Sequence, residues 1–570
     1  MSLKRIIAAA LLATQFSGAA LAQNAGAYLA ARQAGFETDF AAAADYYTRA
    51  LASDLTNPQL MEAATIAHLG LGAVERGLPI ARQFAEKGFE AQIPQMMLLA
   101  EDVRAKDWAA VLKRIDDKRG VGPLVDGLTK AWALIGQGEM GAALKAFDEV
   151  STQRGLEPFA FYHKALALAL VGDFEGAEAI LSDERTQALM MTRRAVIVRA
   201  EVLSQLDKGA DALQLIDGAF GADLDPELKA FRDKLANGDK QPFSLVSDAK
   251  DGVAEVYFTV ASALNSDAGD DYTLLYARIA EYLRPDHVEA LLLVARLLDS
   301  LKQYDLSVET YRKVPATDPS IHAADLGRAE ALRRAGKVEA AAEVLQSLVK
   351  SHGDLPVVHV TIGDLMRQLE RYKEAAAAYT TALSLYGAPQ PDHWFVYYAR
   401  AISYERLSDW AKAEPDFRQA LTLNPDQPQV LNYLGYSLVE KQENLDEALA
   451  MIEQAVALRP DSGYIVDSLG WALYRLGRYD EAIGYMERAA ELMPVDPVVN
   501  DHLGDVLWAV GRKREAEFQW RRALSFVDHE DASGDADPER IRRKLDVGLD
   551  QVLAEEGAPP LKVANGAANN

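Results

Sequence analysis

Asp501, His502 and Asp505 lie close enough in the chain to suggest an imidazole oriented by a carboxylate, the usual start of acid–base chemistry. Nothing nearby completes such a site. The nine histidines stand at 68, 163, 287, 322, 352, 359, 393, 502 and 529, and none forms an HExxH pair. His352 and His359 are separated by Gly353 and Pro356, a poor spacing for a shared metal. No GxxxxGK[ST] loop, no GxGxxG turn after a strand and no GxSxG elbow occurs. The chain has no cysteine, which excludes disulfides, thiolate nucleophiles, Cys-ligated zinc and iron–sulfur clusters. The expectation is therefore a protein without cofactor or metal, not an enzyme. Asp501 and Asp505 are better read as positions on the surface of a repeated element.

That element is visible as internal self-similarity. From Gly463 the chain reads Leu469-Gly470, Leu473, Gly477, Ala482, Met486, Ala489 and Pro494. From Pro497 it reads Leu503-Gly504, Leu507, Gly511, Ala516, Trp520 and Ala523, displaced by 34 residues. Each unit fits two antiparallel helices. The eighth position (Gly363, Gly435, Gly470, Gly504) and the twentieth (Ala375, Ala413, Ala448, Ala482, Ala516) are small because the helices meet there. A glycine such as Gly336, Gly477 or Gly511 permits the left-handed turn between helices. Pro425, Pro460 and Pro494 stop the second helix. This pattern resembles the tetratricopeptide repeat. The resemblance implies an all-α fold, a right-handed α-solenoid of helix-turn-helix repeats.

The register places units near 254, 288, 322, 356, 394, 428, 463 and 497, and weaker ones near 24, 62, 92, 124, 158 and 193. The expected organisation is a leader over 1–22, an N-terminal array over 23–224, an irregular linker over 225–253 and a C-terminal array over 254–527. An acidic loop, a capping helix over 538–556 and a disordered tail fill 528–570.

The first 22 residues read as a cleaved secretory signal: Lys4 and Arg5, an apolar run from Ile6 to Ala13, then Ala20-Leu21-Ala22 ahead of Gln23. The apolar run is too short to span a bilayer. A periplasmic protein is expected, without a lipid anchor because no cysteine is available to carry one. The formal net charge is -25, a field that repels phosphate backbones, so no nucleic-acid partner is expected.

Partners should be other proteins, envelope proteins or peptides. In units of this kind the first helix lines an inner wall, and positions 2, 5, 9, 12 and 13 face it. The register puts Asn432 and Tyr436 there, then Asp467, Trp471 and Tyr474, then Asp501, Asp505 and Trp508. Tyr464, Phe395, Tyr398 and Glu405 share the wall. Large aromatics dominate binding energy in desolvated pockets. The alternative is that Trp471 and Trp508 plug gaps between neighbouring repeats. Position five holds Asn432, Asp467 and Asp501 rather than a cation, which argues against clamping a C-terminal carboxylate.

The run NYLGYSLVEKQENLDEALAMIEQAVALRPDSGYIVDSLGWALYRLGRYDEAI, followed by DHLGDVLWAVGRKREAEFQWRRAL, is similar to the C-terminal repeats of large bacterial tetratricopeptide proteins of the cell envelope. These include a lipoprotein adaptor of carboxyl-terminal processing proteases. The resemblance implies an exported scaffold or adaptor that links a protease to its substrates. The missing lipid-bearing cysteine departs from that pattern. A chaperone-like assembly factor for outer-membrane or polysaccharide biogenesis is the alternative.

Overall fold

A small residue at the eighth and twentieth positions has one physical use, and the structure shows it. In the computed structural model, which describes residues 25–183, 192–221, 224–527 and 536–561, Gly470 lies where a Cβ would come within 2.3 Å of Met486 Sδ. At Gly504 a Cβ would sit 2.4 Å from the Trp520 ring. Ala375, Ala413, Ala448, Ala482 and Ala516 are all fully buried at the same crossings. Among the described residues the regular structure is helical, with no strand. The fold is all-α, helices packed in consecutive pairs as a tetratricopeptide-type solenoid. The leader over 1–22, most of the acidic loop and residues 562–570 lie outside the described residues.

Most turns between paired helices use a residue with positive φ. Gly477 and Gly511 take φ of 75° and 84° there. Lys302, Glu370 and Ser408 occupy the same turn with φ of 61°, 57° and 60°, without the glycine that makes it easy. Helix packing imposes the turn, and each side chain bears the strain, about 1 kcal/mol.

The chain forms two compact units, residues 1–350 and 351–570. In the first, helix pairs open at Pro58, Gln92, Pro123, Glu157 and Arg193. The stretch 225–253 contains a helix, Pro226–Ala236, whose first turn is capped by the Asp225 carboxylate, then a loop, then a helix beginning at Ala249. That next pair, Ala249–Leu264 and Asp270–Leu283, packs on the first helices of the early repeats. Gly252 abuts Trp132 so closely that a Cβ would lie 2.2 Å from the indole. Tyr162 donates to Glu255 at 3.0 Å, and Arg278 donates to the Gly70 carbonyl at 3.1 Å. In the first unit the inner wall is thus filled by the chain itself, with an apolar core running from Phe40 to Leu298.

Among its described residues the second unit has five repeat helix pairs, with first helices Pro356–Gln368, Trp394–Arg406, Pro428–Lys441, Gly463–Arg475 and Pro497–Ala509. Its last second helix is Lys513–Phe526. The C-terminal segment is two helices rather than one, Pro538–Val547 and Leu549–Glu555. Gly548 separates them with φ of 84°, pressed against Trp508 at a point where a Cβ would lie 2.6 Å from the ring. Ile541, Leu549 and Val552 are buried, and Ile541 and Leu549 join the core of the second unit, while Val547 is exposed.

Candidate protein-binding wall of the second unit

The first helices of the last repeats carry the wall residues, and stacking of successive pairs sets which of them meet. Residues one repeat apart become neighbours across parallel helices. This brings Asp467 of one repeat to His502 of the next, with His502 Nδ1 3.0 Å from the Asp467 carboxylate. The His502 ring lies on the Trp471 indole, centroids 3.9 Å apart and planes 14° from parallel. Tyr474 stacks on Trp471 as well, at 4.8 Å and 23°. The indole Nε1 of Trp471 donates to Glu440 at 3.2 Å. Trp471 is therefore held in place from three directions and still half-buried. Around it Tyr464 is 65% exposed, and Phe395 lies open further along the wall.

Tyr474 and Asp467 are themselves buried, so they support the wall more than they display it. Burial and the nearby Asp505 carboxylate push the Tyr474 phenol up. His502 is buried, which disfavours its charge, but Asp467 and then Asp501 and Asp505 outweigh that and raise its pKa. Tyr436 and Asn432 are half-buried one repeat earlier. The Asn432 Oδ1 is buried and accepts no hydrogen bond among the described residues. Earlier still, Tyr398 packs edge-on to Tyr433, whose hydroxyl donates to Glu405 at 3.2 Å.

Asp501, Asp505 and Trp508 stand differently from the open wall foreseen for them. The C-terminal helices cover them. Lys544 donates to Asp501 at 2.9 Å and to Asp505 at 2.6 Å. Trp508 donates to Asp550 at 2.9 Å, with the Lys513 ammonium 4.4 Å from its ring centre. Trp508 also packs on Trp520 of the second helix of its own repeat, centroids 5.3 Å apart. The eight expected residues thus fall into two groups: a half-open platform at Asn432, Tyr436, Asp467, Trp471 and Tyr474, and a covered acidic end.

Sequence reasoning passed over Glu440 and Lys544, and it weighed His502 only beside Asp501 and Asp505, not against Asp467. His502 sits at position six, off the inward set, and reaches the wall only because Asp467 holds it. Its spacing of one repeat plus one residue from Asp467 is the signal that was there to find. Among the described residues, no group of three or more His, Asp or Glu side chains is arranged to hold a metal ion. The Asp467–His502 pair joins two repeats. Among the described residues no helix is long and apolar enough to cross a membrane.

Residues 289–529 match the tetratricopeptide repeat family model. The chain is 28% identical over 187 residues to the TPR repeat-containing protein PA4667 of Pseudomonas aeruginosa, covering 32% of this chain and 31% of that one. It thus spans under a third of that relative's length. Among solved structures, the Cut9–Hcn1 hetero-tetramer of the APC/C aligns over 94% of this chain and 98% of the other, at 14% identity and a TM-score of 0.38. YrrB, described as a TPR protein with an unusual peptide-binding site, aligns over 33% of this chain and 94% of its own, at 19% identity and a TM-score of 0.27.

Proposed function

We propose that this tetratricopeptide-repeat chain is a protein-binding scaffold of an exported compartment, holding envelope proteins or peptides on the inner wall of residues 394–508. The observation that carries the reading is Trp471. Its indole is oriented by His502, Tyr474 and Glu440 before any partner arrives, yet stays half-open. A rigid aromatic anchor loses little entropy on binding, and such anchors contribute about 2 kcal/mol or more when centrally buried.

Export is supported by the charged start, the short apolar run and the Ala20-Leu21-Ala22 site. The finer role is that of an adaptor presenting folded envelope proteins to one another, a protease and its substrates being the case the C-terminal repeats suggest.

Affinity capture from an envelope fraction tests the reading. Wild-type protein should retain discrete, stoichiometric partners. Trp471→Ala should keep its helical circular-dichroism signal and bind them about 30-fold more weakly, as a loss of 2 kcal/mol implies. Tyr464→Ala, at an exposed position, should weaken capture without altering the melting temperature. Equal capture by all three proteins contradicts the wall as the site. Weak retention of many unfolded chains in place of discrete partners contradicts the adaptor role and favours the assembly-factor alternative.

A further inference from the structure

The C-terminal helix shows what chemistry the last repeat is built to hold. Lys544 is buried, its ammonium 2.9 Å from both Asp501 oxygens and 2.6 Å from Asp505 Oδ1. The Trp520 ring centre is 5.8 Å from the same nitrogen. Trp520 Nε1 donates to Asp505 at 2.9 Å and so fixes that carboxylate. Asp501 and Asp505 stand one turn apart on one first helix, which sets both at the depth of a single ammonium. The Arg540 guanidinium reaches Asp505 at 3.6 Å from the preceding turn of the C-terminal helix. The acids are not a bare cluster, because the cation they recognise is seated in them.

Closing the end of a repeat array requires none of this. Apolar cover suffices, and Ile541, Leu549 and Val552 supply it. A buried ion pair is on average no more stabilising than an apolar pair of the same shape. What it adds is selection, since an apolar residue in place of the lysine leaves two buried carboxylates without a partner.

We propose that the Asp501–Asp505–Trp520 pocket is a lysine-recognition site for an amphipathic helix of a partner protein, and that Lys544 is its resident, exchangeable occupant. The inference deepens the reading above and rests on it. The occupant states the ligand's chemistry: a helix with lysine, an apolar residue three positions earlier (Ile541) and a cation four earlier (Arg540). A tethered occupant competes at an effective concentration of about millimolar, so a guest must gain further contacts. The neighbouring Trp471 platform offers them, and a partner that reaches both sites displaces the resident helix where a short basic peptide does so only at high concentration.

The test uses the full-length chain and a fluorescent peptide with its residues 538–555. Lys544→Glu sets a carboxylate against Asp501 and Asp505 and expels the resident helix. That protein should bind the peptide at least about tenfold more tightly than wild type, whose pocket is filled. The peptide carrying Lys544→Met should not bind it, nor should the wild-type peptide bind once Asp501→Asn and Asp505→Asn are added. In wild type, saturating peptide should abolish hydrogen-exchange protection of residues 538–555. Equal affinity of wild type and a folded Lys544→Glu protein overturns the proposal, as does tight binding of the methionine peptide. Should Lys544→Glu unfold the array, wild type decides: unchanged protection at saturating peptide makes the helix a fixed cap and overturns the exchange. No envelope protein enters this assay, so its failure leaves the Trp471 wall standing. Failed capture at Trp471 leaves the peptide result intact.

Discussion

His502 of one repeat lies flat on Trp471 of the repeat before it, ring centroids 3.9 Å apart, while its Nδ1 meets the Asp467 carboxylate at 3.0 Å. This contact joins two repeats and orients the proposed binding platform. Its charge makes it pH-dependent. Burial opposes the imidazolium, but Asp467, Asp501 and Asp505 prevail and raise the pKa above the ordinary 6.5. A raised folded pKa contributes stability that is whole below 6.5 and lost as pH rises through the folded value. The melting temperature of wild type minus that of His502→Gln should therefore shrink from pH 6 towards pH 8 and beyond. A constant difference would show that His502 is not charged in the folded chain.

The helix crossings predict a graded response. At Gly470 the obstructing atom is a flexible Met486 side chain, whereas at Gly504 it is the rigid Trp520 indole, whose Nε1 is also bound to Asp505. Gly504→Ala should cost about 1–3 kcal/mol, and Gly470→Ala measurably less, because Met486 can move aside. Chemical denaturation of the two variants checks the order; a larger loss at Gly470 contradicts the packing.

In the first unit Glu255 anchors the helix that fills the wall. Arg194 bonds both its oxygens at 2.8 and 2.9 Å, and Tyr162 and His287 complete its shell. Burial works against the Glu255 carboxylate, yet Arg194 and His287 hold it well below the usual carboxylate range. Its contribution should be complete above the ordinary 4.5 and lost only as pH falls through the depressed value. Glu255→Ala leaves Arg194 with Glu289 as its remaining carboxylate partner and should destabilise the first unit by less than the about 3–5 kcal/mol of a fully unpaired buried charge. Intact exchange protection of Ala249–Leu264 in that variant would contradict the anchoring role.

What the sequence made legible is what a single repeat dictates. The spacing that put Gly470 and Gly504 at close crossings, and Ala482 and Ala516 beneath them, needs only one helix pair, and the structure shows those crossings. Ser408 and Lys302 turn the chain without glycine, so their turns follow from the register alone. Relationships between distant segments were hidden. No local pattern says that Gly252 is small because Trp132, more than a hundred residues earlier, presses on it. Lys544 reads as a solvated face in an amphipathic helix, and only the covering of Asp501 and Asp505 reveals a buried ammonium. The inward positions were placed by register, but the register could not tell an open position from one the chain covers itself.

Export rests on the first 22 residues and has its own check. Native protein recovered from the envelope should begin at Gln23 on N-terminal sequencing. A chain beginning at Ser2 in the cytoplasmic fraction contradicts export and the envelope partners with it.

The most direct test of the account asks which face of the second unit meets a partner. Tyr464 on a first helix and Phe518 on a second helix are almost equally open, at 65% and 63% exposure, so a photo-crosslinking residue at either is equally available. Tyr464→p-benzoylphenylalanine, irradiated in the envelope fraction, should yield discrete adducts with other proteins, and Phe518→p-benzoylphenylalanine should yield none. Adducts at Phe518 and none at Tyr464 would place binding on the second-helix face and contradict the inner wall as the site.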